Sequence, residues 1–459
     1  MTQPLPCHLP RTWCPAKLGF DDLLDVFRAA EKPPELWRIG IEAEKFGVQG
    51  PAAAPLRYQG DRGVGALLNA LQTYAGWSPE SEYEDGPVIA LRRHGAAMTL
   101  EPGSQLELSG APGFTVHEAA AGFAEHLEEI AEVSRELEIT WLGTGFHPLA
   151  TQRELDWVPK QRYSIMRDYL PSRGAGAWDM MRRTATVQAN FDFSDEEDAM
   201  RKLRVLLRFT PVFQAMFANA PLFEGRVAAA KSVRQQVWQR MDPSRSGLIG
   251  RLWGRSLPSY ADYVEWALDA GMFMFKRDGR VLANTGQTFR RFMTDGFEGH
   301  YPTLDDWRLH LASLFPEARL KTTLEVRCCD ALPRDLTPAV PALFTGLLYD
   351  NRALAEAEQL ALGLELPMAQ SALEPASIHG LDAVLGGRWI RDWAQEVLDI
   401  ASRGLSRRAM LDADGMDETR HLEPLAALIA RGAAPADRLL ERLALEPLSP
   451  PSIVSACAL

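Results

Sequence analysis

The chain of 459 residues is long enough for a large buried core, and its length alone suggests about three domain-sized units. A hydrophobic content of 46% and a charged content of 24% are those of a soluble globular protein, and the net charge of −12 argues against a nucleic-acid binder, which presents a basic face. Five cysteines (Cys7, Cys14, Cys328, Cys329 and Cys457) are too sparse for a disulfide scaffold and fit a reducing compartment.

Residues 1–17 read as a Pro-rich, irregular arm without the apolar core of a signal peptide. The longest uncharged apolar run, near Thr337–Tyr349, is too short to span a bilayer and contains two prolines, so a cytoplasmic chain with no membrane partner is expected. Phe20–Ala30 carries Phe20, Leu23, Leu24 and Phe27 at helical spacing. Arg38–Val48 reads as a strand with Ile39, Ile41 and Ala43 on one face and Glu42 and Glu44 on the other. Two stacked carboxylates repel unless the face is solvated or a cation lies beside them, and this strand taken alone fits either case. A helix at Gly65–Tyr74 and a hairpin at Ser81–Arg92 follow. Met98–Ser109 then gives two short strands about a Pro-Gly turn, with Glu101 just before the turn. After the turn Gln105, Glu107 and Ser109 alternate with Leu106 and Leu108.

Thr115 and Glu118 form the capping box of a helix striped with Phe123, Leu127, Ile130 and Leu137. Ile139–Gly143 is a strand, and the loop after it holds His147, expected to be a hydrogen-bonded structural residue. Pro159–Tyr169 brings Lys160, Arg162, Tyr163 and Arg167 into a helix, a pattern that suits an anionic ligand or a solvated face. Thr184–Ser194 alternates cleanly, with Thr184, Thr186, Gln188, Asn190 and Asp192 opposite Ala185, Val187, Ala189, Phe191 and Phe193. Ser194 and Glu197 make a second capping box. Lys231–Gly247 carries Arg234 and Arg245 on a helix ending at Asp242-Pro243. Thr323–Arg327 puts Glu325 and Arg327 on one face of a strand, and adjacent Cys328 and Cys329 are poor joint metal ligands. Beyond Pro341 the chain turns helical, with apolar stripes such as Ile390, Trp393, Val397 and Leu398 and no chemistry of its own.

Taken together, these strands carry Glu, Gln, Asn and Thr where a solvent face carries Lys. That composition suits a hard cation such as Mg2+ shared between carboxylates and substrate phosphates. The familiar phosphate loops, zinc-protease and serine-hydrolase motifs are missing from the sequence. If a nucleotide binds, strand-borne carboxylates must hold it through metal ions, with an arginine such as Arg327 neutralising charge on a transferred phosphoryl group.

The runs Gly40-Ile-Glu-Ala-Glu-Lys-Phe46 and Leu100-Glu-Pro-Gly-Ser-Gln-Leu-Glu-Leu-Ser-Gly-Ala-Pro112 closely resemble glutamate–cysteine ligase of the plant and proteobacterial type. So do Arg162-Tyr-Ser-Ile-Met166, the run Met180–Phe193, Phe315-Pro-Glu-Ala-Arg-Leu-Lys321 and Leu324-Glu-Val-Arg327, in order along nearly the whole chain. The resemblance implies an α+β, glutamine-synthetase-like catalytic fold, a curved antiparallel sheet forming a cradle backed by helices. It places the catalytic domain at residues 1–370 and a helical region packed on it at 371–459. It implies ATP and Mg2+, with glutamate, cysteine and ATP as small-molecule partners of a monomer or weak homodimer. The reaction implied is ligation through a γ-glutamyl phosphate, giving γ-glutamylcysteine.

By the same resemblance Glu42, Glu44, Glu101, Glu107, Gln188 and Glu325 match metal ligands, and Arg327 with Glu325 the catalytic pair. Gln188 stands where related ligases place a histidine. Arg162, Thr186, Asn190, Arg234 and Arg245 match substrate- or ATP-binding positions, although each arginine also reads as one side of a structural ion pair. After Glu325-Val-Arg327 the family continues through a Gly-rich turn, whereas Cys328-Cys329-Asp330 follows here. That departure leaves open a γ-glutamyl ligase using another amine, and a catalytically silent nucleotide-binding relative is the further alternative. The cysteines of the plant regulatory disulfides have no evident counterparts.

Overall fold

The computed structural model describes residues 17–254 and 256–459. The Pro-rich start of the chain, with Cys7 and Cys14, lies outside the described residues. The organising element is the strand Ile39–Gln49, which forms antiparallel ladders on both sides. Its first half lies between Val187–Phe191 and Leu106–Ser109, and its second half pairs with Ile139–Leu142 and Ala54–Pro55. From Val187–Phe191 the sheet continues to Leu324–Val326 and Ala318–Leu320. On the other side it runs through Ala96–Leu100 and Ala90–Arg93 to Ser78–Glu80. The expected α+β cradle of antiparallel strands backed by helices is the architecture observed.

Register converts alternation into a surface. Glu42 lies opposite Gln188 on one side and Ser109 on the other, Glu44 opposite Glu107, and Glu325 opposite Asn190. Because side chains alternate with period two, these polar groups share one face. The reverse face is apolar. Ile39, Ile41, Val187, Ala189, Phe191, Leu324 and Val326 join a core with the wholly buried helix Ala339–Leu348 and with Ile390–Arg408. Ala43, Met98, Leu100, Leu106 and Leu108 form a second core against Phe123, Leu127 and Ile130 of the helix Val116–Glu136, whose N-terminus is capped by Thr115 and Glu118.

Three local expectations shift. The cap of helix Glu196–Arg208 is Asp195, not Ser194, because the Asp195 carboxylate takes the Asp198 amide at 2.9 Å. The helix in Lys231–Gly247 spans only Val233–Trp238 and ends before Asp242-Pro243. The Ser81–Arg92 hairpin is a loop joining Ser78–Glu80 to Ala90–Arg93.

The turn at Pro102–Gln105 is pinned to the neighbouring chain. Ser104 takes a left-handed φ of 68°, and the Gln105 amide donates to the carbonyls of Met181 and Thr184 at 3.3 and 2.9 Å. A Cβ on Gly103 would meet the Arg182 carbonyl oxygen at 2.5 Å and its Cα at 2.8 Å. Gly103→Ala is therefore expected to destabilise the fold by about 1–3 kcal/mol. Gly122, in the Val116–Glu136 helix with open space around it, should gain about 1 kcal/mol as Gly122→Ala. Urea unfolding of both variants checks the pair.

Candidate active site

The polar face of the sheet floors a cavity of about 630 Å3. Glu42, Glu44, Glu101, Glu107, Thr186 and Gln188 line it, with Arg162, Arg234 and Arg327. Strand alternation supplies the floor, and the helix Gln161–Tyr169 adds one wall.

One end of the cavity is acidic. Burial, then repulsion from Glu101 and Glu107, pushes the Glu44 carboxyl well above the usual carboxylate range. Burial, then Glu42 and Glu101, raises Glu107 to about 8. Burial and then Glu325 raise Glu42. Few protein donors relieve this crowding. The Thr186 amide donates to Glu44 at 3.0 Å, the Thr99 hydroxyl donates to Glu107, and the Asn190 amide donates to Glu42 at 2.9 Å. Glu101 forms an ion pair with Arg162 at 3.9 Å. Among the described residues no three His, Cys, Asp or Glu side chains cage a metal ion by themselves.

The other end is basic. Arg319, Lys321 and Arg327 line the cavity around Glu325, which is fully buried beneath them. Burial works to raise the Glu325 carboxyl, but Arg319, Lys321 and Arg327 together hold it well below its ordinary range. Gln188 Oε1 accepts from Arg327 at 2.6 Å. The Glu325 and Gln188 oxygens thus accept directly from guanidinium groups, whereas Glu44, Glu101 and Glu107 crowd one another with cations only at longer range.

Two expected substrate residues are not on the cavity wall. Asn190 holds Glu42 and accepts from Thr323 at 3.2 Å. Arg245 is fully buried against Asp242 at 3.1 Å, donates to the carbonyls of Ser313 and Gly271, and stacks over Phe273 at 3.9 Å. Its sequence context did not separate an ion-paired arginine from a ligand-facing one. Arg234 is mixed: it donates to the Arg327 carbonyl at 2.9 Å and lies 3.6 Å from Asp330, while its buried Nε has no partner. His147 is structural as expected, with Nδ1 accepting from the Ala150 amide at 2.9 Å. Cys328 and Cys329 are buried and do not line the cavity, so the departure from the Gly-rich turn does not reach its wall. Sequence reading missed Arg319 and Lys321. The flanking Ala318 and Leu320, both buried, were the available signal for Arg319.

The family model for glutamate-cysteine ligase family 2 matches residues 38–455. The chain belongs to that family. It is 37% identical over 423 residues to the chloroplastic glutamate–cysteine ligase B of Oryza sativa subsp. japonica, covering 92% of this chain and 83% of the relative. The chloroplastic enzyme of Medicago truncatula is 36% identical over 423 residues, covering 92% and 81%. A crystal structure of glutamate–cysteine ligase from Francisella tularensis in complex with AMP shares the fold, with a TM-score of 0.54 and 12% identity over 92% of this chain and 87% of that one. The chain is therefore an enzyme, a ligase of glutamate-cysteine ligase family 2, and the family reaction is the ATP-dependent formation of γ-glutamylcysteine, the first step of glutathione synthesis. The relatives' names overturn the cytoplasmic expectation, since these enzymes are chloroplastic. Sparse cysteine marks a reducing compartment, and that property does not single out the cytoplasm.

The raised carboxyls give this ligase a pH signature. The folded state binds the Glu107 proton more tightly than the unfolded state, so the stability from this group is present below about pH 4.5 and is lost as pH rises through about 8. Without divalent cations, the melting temperature should fall across that window, and Glu107→Gln should flatten the fall. Thermal unfolding in a chelator-containing buffer series measures both.

Proposed function

We propose that this cavity is where the chain joins the γ-carboxylate of glutamate to the amine of cysteine. The observation that carries the proposal is the division of one cavity into an acidic end at Glu44, Glu101 and Glu107 and a basic end at Arg319, Lys321 and Arg327. The acidic end fits divalent cations such as Mg2+, because crowded, buried carboxylates with few protein donors are relieved by a positive charge. Glu42, Glu44, Glu101 and Glu107 would hold them. Among the described residues no three acids are placed to hold a cation by themselves, so substrate oxygens would have to complete its coordination. When bound, the cations supply charge neutralisation on the polyphosphate.

The chemistry needs two transfers. The γ-carboxylate oxygen of glutamate attacks the γ-phosphorus of ATP, and the bond to ADP breaks, giving γ-glutamyl phosphate. The cysteine nitrogen then attacks the acyl carbon, phosphate leaves with the C–O electron pair, and the nitrogen loses a proton. Arg327 faces this phosphate, where its fixed charge opposes the charge that builds during transfer. Arg234 and Arg162, both on the cavity wall, offer donors for substrate carboxylates. Thr186 and Asn190 act one step back, holding Glu44 and Glu42. The helices after residue 370 buttress the sheet through the shared core, keeping the floor rigid.

Phosphate release with ATP and glutamate, measured across a panel of amines, tests the reading. Cysteine should stimulate release and yield γ-glutamylcysteine. Stimulation by another amine but not by cysteine, or turnover without ATP, defeats it. Glu44→Gln should lower kcat by about 100-fold or more while circular dichroism stays that of the wild type.

A further inference from the structure

Glu325 has no exposed surface, and both of its oxygens are committed to cations. Oε1 accepts from Arg319 Nη2 at 2.7 Å and from Arg327 Nη1 at 2.5 Å. Oε2 accepts from Arg319 Nε and Nη2 at 3.0 and 2.8 Å and pairs with Lys321 Nζ at 2.7 Å. These contacts account for the acceptor positions of an ionised carboxylate. A divalent cation on Glu325 would have to displace one of the three cations and then sit beside the other two.

We propose that Glu325 is a positioning residue that fans Arg319, Lys321 and Arg327 into a binding site for the ATP polyphosphate, and that Lys321 and Arg319 are direct phosphate-binding residues. The inference rests on the ligase reading for its nucleotide and deepens it at this end of the cavity. Three cations face Glu325, with Glu42 the next carboxylate in electrostatic reach, so the cluster stays net positive at a place where the cavity wall is made by the cations while Glu325 lies beneath it. Exposure is graded. The Lys321 side chain is 28% exposed, Arg327 12% and Arg319 8%, so Lys321 is the most open of the three. Gln188 braces Arg327 from the adjacent strand, so that guanidinium is fixed from two strands at once. A row of fixed cations of this kind suits an oxyanion with several charges spaced along a chain, and it is set before the ligand arrives.

The test uses intact protein and three probes: tripolyphosphate and ADP by calorimetry, and Mn2+ alone by electron paramagnetic resonance. Lys321→Gln should weaken tripolyphosphate and ADP, and raise the KM for ATP, by about tenfold or more, with Mn2+ affinity and the KM for glutamate within about twofold of wild type. Glu325→Gln should weaken the polyphosphate probes similarly and leave Mn2+ binding intact. Tripolyphosphate affinity unchanged in Lys321→Gln overturns the proposal, whatever the fate of the Glu325 variant. Loss of Mn2+ binding in a folded Glu325→Gln protein that still binds tripolyphosphate also overturns it, making Glu325 a metal ligand. A wild type that binds tripolyphosphate but releases no phosphate with glutamate and cysteine defeats the ligase reading instead.

Discussion

Like charges buried side by side are the constraint from which the rest of the site follows. The strand Ile39–Gln49 presents Glu42 and Glu44 to one face, and its pairing partner sets Glu107 directly opposite Glu44. Opposed carboxylates destabilise a ladder, and burial strengthens their repulsion. The fold holds them together by anchoring the strand from behind, where Ile39, Ile41 and Ala43 are packed into two cores. Apolar burial on one face thus sustains an electrostatic strain on the other.

The counterpart lies two strands away, beyond Val187–Phe191: there Glu325 is surrounded by cations. The two ends treat the same functional group oppositely. Burial and then neighbouring acids raise Glu44 and Glu107, whereas guanidinium and ammonium groups outweigh burial and lower Glu325. Carboxylates of identical chemistry therefore take different parts, and the difference arises from what each faces across the ladder. The cavity wall thus carries a carboxylate cluster and a cation cluster together.

Much of this was legible in the chain because a strand's period of two is local. Alternation alone assigned Glu42, Glu44, Glu107, Thr186 and Gln188 to faces, and the structure puts them on one cavity floor. It failed where the deciding partner was distant in sequence. Arg245 meets the Gly271 and Ser313 carbonyls, and Asn190 turns to Glu42, contacts that no local spacing encodes. Lys321 sits outside a strand, so no periodicity marked it.

The sequence by itself determined the antiparallel strands, their polar faces, the apolar stripes behind them and, through motifs in order, the family. Tertiary structure decided which polar groups meet. Register set Glu44 against Glu107 and Glu325 beside Arg319, and helix packing carried Arg245 away from the cavity. The physical reason is one of range: backbone geometry repeats every two residues, whereas a charge's partner is fixed by the separation of atoms brought together from anywhere along the chain.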